Sequence, residues 1–425
     1  NFSMEDAWYH VLSHVSQRDL LSVERVSRGM RRMGRREWAL RKEVDIERDF
    51  PAATAEQAHM ISLIERFSPV LSSLRIGPPA SGAEGKLSSY DNFPSSKTIT
   101  RCVIEEISKR CTRLKKLEIH RMTLTLNALL AFPLLPCTLE ELSLTICQMD
   151  CYSPEEGRLA QEAMTTLVSS LPNLRRFEIS GRGATYADFV LDERVLNHLP
   201  DSVTHLNISA GNSLKLADLQ FVKQRELDSF TLQRSFISSR DLEGLVAISP
   251  NIRYLDLSNS RNITDFIAIA KLQFLKTLIL SGNRDLRDEH LNAICRGCPA
   301  LIEVDLEHCA KLTSDGLVSL GLLHSLRRLS LSGLPSVNLA VIEALTRCID
   351  LVKLDVSFCR NVEVTCLAAL LSDFPLLRLV VMKGNTLDMR IVNALKGESI
   401  LPFLECDPFK VEQPTFTRPP PLPLL

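Results

Sequence analysis

The side chains best suited to chemistry in this 425-residue chain are its 12 cysteines and 9 histidines, and their spacing decides what they can do. Cys295-Arg-Gly-Cys298 has the gap of a metal-ligating pair, but no second pair of matching spacing stands near it. His14 and His308 have no suggestive partners, and His120 and His205 fall on strand positions expected to be exposed. Gly85-Lys-Leu-Ser88 lacks the glycine spacing of a phosphate loop, and no nucleophile elbow, zinc-protease helix or dinucleotide fingerprint is present. The expectation is a non-enzyme with no catalytic residue, no cofactor and no metal.

The cysteines instead follow a period. Cys147, Cys309 and Cys359 lie eight residues after Leu139, Leu301 and Leu351, and Cys111, Cys298 and Cys348 lie three before Leu114, Leu301 and Leu351. Those leucines belong to a series of apolar anchors: Leu71, Leu114, Leu139, Leu174, Val203, Leu227, Ile252, Leu275, Leu301, Leu326, Leu351 and Leu377. From Val203 onward the steps are 24, 25, 23, 26, 25, 25 and 26 residues. Each unit continues as L-x-x-L-x-L, as in Leu301, Val304 and Leu306, then a turn and a helix that starts near Asp315 in this unit. Self-similarity at this period is the leucine-rich-repeat signature. The fold expected is an α/β solenoid, a horseshoe of about 12 repeats with a parallel concave sheet. Repeat-locked cysteines act as small buried hydrophobes, which points to a reducing compartment, cytoplasmic or nuclear.

A net charge of −1, from 50 basic and 51 acidic residues, gives no general drive toward nucleic acid or an anionic membrane. No apolar run reaches the length of a membrane span and no signal pattern is read at the start. Opening on Asn1 rather than Met leaves room for a preceding piece. The organisation expected is a helical segment at 1–45, a connecting helix at 46–70, repeats over 71–399 with a flexible Gly/Pro/Ser-rich loop at 77–98, and a Pro-rich tail at 400–425.

Trp8, Val11, Leu12 and Val15 fall at the spacing of an amphipathic helix. Ser16 followed by Asp19 marks a second helix, carrying Leu20, Leu21, Val23 and Val26. A third helix is expected from about Ser27 to Glu43, with Met30, Met33 and Trp38 apolar. Its Arg28, Arg31, Arg32, Arg35 and Arg36 read as a solvated face, since no aromatics interleave them for stacking on bases. Three helices in about 40 residues cannot enclose a full core, so an apolar stripe is left for something else to cover.

The string from Val11 to Met33 resembles the F-box motif through Val11-Leu12-Ser13, Val15, Asp19-Leu20-Leu21, Val26-Ser27-Arg28 and Arg31-Arg32. The repeats are similar to the cysteine-containing subtype that follows the F-box in that family, with C-x-x-L-x-x-L-x-L-x-x-C at Cys298–Cys309 and Cys348–Cys359. Departures are Ser3-Met4 in place of an opening Leu-Pro, Asp6 as the following acid, and Met30 where a Trp is usual. The resemblance implies the substrate-recognition subunit of an SCF-type ubiquitin ligase. In it Trp8, Leu12, Val15, Leu20, Leu21, Val26 and Met30 would bind a Skp-type adaptor and, through it, a cullin scaffold. Two other classes stay open: an interaction scaffold without a ligase role, and an enzyme regulator.

Strand alternation places the second, fourth and sixth residues after each anchor on the concave side. About 12 strands at ~4.8 Å give roughly 55 Å of arc, which suits a protein or long peptide better than a metabolite. Tyr254, Asp256, Glu303, Asp305, Glu307, Arg328, Lys353 and Asp355 are therefore the candidate substrate-binding residues, and Leu379 and Val381 make an apolar end. Glu303, Asp305 and Glu307 place three carboxylates on one strand, a patch fitted to a basic segment.

Overall fold

Alternate apolar residues in each short strand drive the architecture. Leu301, Val304 and Leu306 are buried, while Glu303 and Asp305 between them stay half-exposed on the opposite face. A chain with that pattern hides one face only by stacking copies of itself. The computed structural model describes residues 11–12, 14–15, 17–50, 57–67, 70–77, 97–150, 153–181, 193–209, 226–363, 366, 373–385 and 403–405. Among them is a 16-stranded sheet, and all but two of its strands follow one another along a single path. Every pairing is parallel, with one register shift between Leu144 and Cys147 where their strand meets Arg176–Gly181, and Ser229, Tyr254, Thr277, Glu303, Arg328, Lys353 and Leu379 form one row across the sheet. The chain is a leucine-rich-repeat solenoid.

The sheet reaches past the repeat anchors at both ends. The third helix runs Arg28–Leu40, capped by the Ser27 hydroxyl accepting from Met30 N at 3.1 Å, and stops short of Glu43. Glu43–Asp45 is instead a strand paired with Ser73–Ile76, inside the stretch read as the helical segment. At the far end Phe403–Glu405 pairs with Leu379–Val381, inside the stretch read as tail. The connecting helix spans Gln57–Ile64. Trp8, most of the 77–98 loop and the proline run of the tail lie outside the described residues.

Three positions after each strand hold successive repeats together. The eighth residue after the anchor donates to the carbonyl of the previous repeat: Cys147 to Ile119 (3.3 Å), Cys309 to Leu280 and Cys359 to Leu331 (both 3.1 Å). Asn283 and Asn385 do the same to Leu257 (3.0 Å) and Val356 (2.9 Å), so thiol and amide are interchangeable donors here. Burial pushes the Cys309 thiol up to about 12 and the Cys359 thiol up to about 11.

The seventh residue is left-handed. Gly282, Gly333 and Gly384 have φ of 74°, 74° and 67°, and they alternate with Asn259, His308 and Phe358 at 58°, 58° and 57°. A β-carbon on each of these glycines would overlap the large residue of the repeat before it, Asn259, His308 or Phe358 respectively. The outer helices share the two-repeat rhythm: Ser239–Ile248 and Asp288–Gly297 have 10 residues each, while the repeat between them has only a 3₁₀ segment, Ile267–Lys271.

In several repeats, though not at Glu307 or Lys383, the sixth residue departs from the expected alternation. Ser258, Ser332, Ser357, Ser180 and His120 are buried rather than displayed on the concave face. The regular strands end at the fourth residue, and the chain is already turning inward toward the left-handed position. His120 is covered further by its ring nitrogen bonding Thr145 Oγ1, and burial lowers its pKa.

Candidate functional site

The concave face divides along its length. Over the first repeats its charges neutralise one another. Arg75 bonds Glu118 (2.6 Å) and Asp45 (3.2 Å), and Lys116 bonds Glu118 (3.0 Å) and Glu141 (3.2 Å). Arg176 bonds Glu178 at 3.1 Å, and Glu178 also accepts from Ser143 at 2.8 Å. Burial acts to raise the Glu118 carboxyl, but the donors from Arg75 and Lys116 more than offset it and hold it below the ordinary range. This network locks strands together and leaves little unspent charge for a partner.

From Tyr254 onward the face is more open to recognition. Glu303 pairs with Arg328 at 2.7 Å, with both side chains partly exposed. Glu307 approaches His308 at 3.7 Å. The aspartates of the fourth column have a second duty: Asp256, Asp305 and Asp355 each accept from the backbone N–H two residues on, at 2.9, 2.9 and 3.0 Å. They fasten the turn that leads into the left-handed residue.

Asp256 is buried altogether, bonded by Ser258 and by Gln233 (2.7 Å), and its carboxyl is raised by burial. It is therefore a structural group and not a contact residue, a correction to the concave assignment. Tyr254, Glu303, Asp305, Glu307, Arg328, Lys353 and Asp355 lie on four strands of the sheet or the turns that follow them, with the Thr277–Ile279 strand between Tyr254 and Glu303, and all are half-buried or exposed. At the end of the row Leu379 is half-buried and Val381 buried.

A cavity of about 320 Å³ opens beside Tyr254, between strands Arg176–Gly181, His205–Ser209, Ser229–Leu232 and Tyr254–Asp256. Its wall holds Glu178, His205, Asn207, Asp228, Thr231 and Tyr254. Asp228 bonds Arg253 at 3.3 Å and faces His205 at 3.5 Å, while burial and then Arg176 lower the His205 pKa. These residues occupy the first, second and fourth positions of four successive repeats. The signal was in the sequence, but only the register shows that the side chains leave a gap there.

At the other end of the chain, the helices Gln17–Val26 and Arg28–Leu40 are fixed to the solenoid. Trp38 is buried, with its ring 5.6 Å from Phe50 and 6.2 Å from Phe67. Arg66 reaches Glu24 at 3.4 Å, and Arg41 donates to the Val15 carbonyl at 3.1 Å. Leu12 is buried in the chain's own core and Val15 packs against it, so these two expected adaptor residues are committed to the fold. Met30 is half-buried. Val26, by contrast, is 72% exposed, and so are Leu40 (61%) and Val11 (51%), which the adaptor set had left out. The side chains of Leu20 and Leu21 lie outside the described residues.

Among the described residues no group of three or more His, Cys, Asp or Glu is placed to hold a metal ion, and no helix is long and apolar enough to cross a membrane. Cys298 donates to Ile269 O at 3.2 Å and Cys295 accepts from Ser319 at 3.6 Å, both buried in the repeat core.

The comparison with a solved structure supports the fold that this geometry defines, a leucine-rich-repeat solenoid. The structure solved as the complex of Rad7 and Elc1 in yeast matches with a TM-score of 0.58 over 91% of this chain and 88% of that one, at 16% identity. An internalin from Listeria monocytogenes matches at a TM-score of 0.44, covering 69% of this chain and 81% of that one at 15% identity. In sequence, the antagonist of mitotic exit network protein 1 of Candida glabrata is 30% identical over 145 residues, 30% of this chain and 28% of the relative's length. No family profile matches the chain.

Proposed function

We propose that this chain is the substrate-recognition subunit of an SCF-type, cullin-based ubiquitin ligase. Its N-terminal helices would bind a Skp-type adaptor, and its concave face would hold a protein substrate. The observation that carries the reading is the exposure of Val26, Leu40 and Val11 on helices that are otherwise anchored by Trp38. A segment serving only as a cap would turn its apolar residues inward. The F-box-like string at Val11–Met33 supports the same reading, and the fold neighbour Rad7 was solved in complex with a second protein, Elc1.

The receptor does no bond chemistry in this scheme. It raises the local concentration of a substrate lysine beside a conjugating enzyme held on the cullin, which is catalysis by proximity. The substrate contacts are assigned to Tyr254, Glu303, Asp305, Glu307, Arg328, Lys353 and Asp355. A second reading, an interaction scaffold whose helices merely close the solenoid, is favoured by the burial of Trp38 and by Met30 at the position of the usual Trp.

Deleting residues 1–45 would confuse the two, because it removes Trp38 from the core together with the Glu43–Asp45 strand. The cleaner test uses Val26→Asp and Leu40→Asp in the full chain. Wild type should capture a Skp-type adaptor and each variant should lose at least tenfold in capture, with an unfolding midpoint unchanged because both side chains are exposed. Absence of wild-type capture, under conditions where F-box proteins do capture it, overturns the receptor reading in favour of the scaffold.

A further inference from the structure

The solvent side of the helix Arg28–Leu40 carries a row of arginines. Arg28, Arg32 and Arg35 stand at i, i+4 and i+7 and are exposed, while Gly34, Glu37 and Trp38 are turned away from them and buried. We propose that this face is a docking site for an acidic helix of a protein partner, with carboxylates at the same spacing and an apolar residue beyond each end of the row. The apolar ends rest on Val26 and Leu40 being contact residues, as proposed above.

The first observation is that the counter-charges are hidden. Glu24 and Glu37, acids of the same two helices, are only 5% and 6% exposed, and Glu24 is bound to Arg66. Among the described residues Arg28, Arg32 and Arg35 form no ion pair. Arg31, exposed beside the row, donates to the Glu24 carbonyl at 3.2 Å, which leaves its charge uncancelled.

The second observation is that the row works against its own helix. Arg28 with Arg32, and Arg31 with Arg35, are like charges four residues apart, and such pairs destabilise a helix. No acid occupies the first turn, and Arg28 stands at the positive end of the helix dipole. The Ser27 cap and the burial of Trp38 hold the helix despite this. An opposing row of carboxylates offsets all of these repulsions at once.

The third is layout. Val26, 72% exposed, lies two residues before Arg28, and Leu40, 61% exposed, is the last residue of the helix. At ~1.5 Å per residue the helix is about 20 Å long, and Arg28 to Arg35 covers about 10.5 Å of it. A second helix laid alongside has the same rise, so one register meets the charged row and both apolar ends. Phosphates would leave Val26 and Leu40 uncovered, and among the described residues these helices expose no aromatic ring for base stacking. A lipid surface would need the apolar side of the helix, which packs on the core through Met33 and Trp38.

The test is fluorescence anisotropy on the full chain with a labelled helical peptide carrying glutamates at i, i+4 and i+7 and a leucine beyond each end. Control peptides carry lysines for the glutamates, or serines for the leucines. The glutamate peptide should bind at least tenfold tighter than the lysine peptide and at least threefold tighter than the serine peptide, and its affinity should fall with salt. The triple change Arg28→Gln, Arg32→Gln, Arg35→Gln should weaken it at least tenfold and leave the unfolding midpoint unchanged or raised, because repulsion is lost. Equal binding of either control peptide, wild-type affinity in the triple variant, a lowered midpoint, or no glutamate-peptide binding to about 1 mM each overturns the site. Tighter binding of a single-stranded oligonucleotide or of phosphatidylserine vesicles overturns it too, in favour of nucleic acid or lipid. Adaptor capture is measured on the same samples. Capture retained without glutamate-peptide binding sinks this site alone, and glutamate-peptide binding without capture sinks the ligase assignment alone.

Discussion

Gly333→Ala should destabilise the protein far more than an exposed Gly-to-Ala change ordinarily would. Gly333 has φ of 74°, and an added β-carbon would overlap the His308 ring of the preceding repeat. Holding alanine in the left-handed region costs roughly 1–2 kcal/mol. His308 is 63% exposed and can swing aside, at a further cost of about 0.5–1.5 kcal/mol for a poorer rotamer. The sum is about 1.5–3.5 kcal/mol.

His308→Gly isolates the second part. It removes the ring and relieves a left-handed non-glycine, so alone it should leave stability unchanged or raise it by up to about 1 kcal/mol. The double variant should keep the backbone cost and lose the overlap, giving a coupling near 1 kcal/mol. Urea unfolding of the four proteins measures this, provided the slopes match. A Gly333→Ala variant within about 0.5 kcal/mol of wild type, or a double variant as unstable as the single one, refutes the account of ring over glycine.

Two further outcomes follow from buried titratable groups. Cys309 and Cys359, with thiols pushed up to about 12 and about 11, should resist alkylation in the native protein at pH 8 and react promptly once it is unfolded; rapid native labelling of both would contradict their role as donors between repeats. His120 has a lowered pKa, chiefly from burial, so the unfolded chain takes up its proton first. Stability should fall as pH drops through about 6.5 and level off below the folded value, and His120→Gln should flatten that decline in thermal melts between pH 7 and 5. A variant with the wild-type slope would show that the imidazole is not the responsible group.

The repeat period, the apolar ladder and the cysteine positions were legible because each depends on side-chain type at a fixed interval. Cys309 could be placed inside from its distance to Leu301 alone. What escaped depends on backbone direction. Ser258 and Ser357 read as outward by simple alternation, but alternation ends with the strand, and the turn that follows carries them inward. Asp256 looked like part of an acidic surface, yet the same carboxylate fastens its own turn and is buried by Gln233 and Ser258. Glu43–Asp45 has a single apolar residue between two acids, too little pattern to mark a strand without its neighbour at Ser73–Ile76. At the N-terminal helices, composition announced an apolar stripe but could not say that Leu12 turns inward and Val26 outward.

The alternation of large and absent side chains at the left-handed position bears on how such an array can lengthen or shorten. Asn259 lies over Gly282, His308 over Gly333 and Phe358 over Gly384. Excising one unit of about 25 residues would bring two bulky residues, or two glycines, into adjacent layers, one arrangement colliding and the other leaving a notch. Excising two units, about 50 residues, restores the match. The heritable module of this stretch is thus the doublet, and viable insertions and deletions between Asn259 and Gly384 should come in even numbers of repeats.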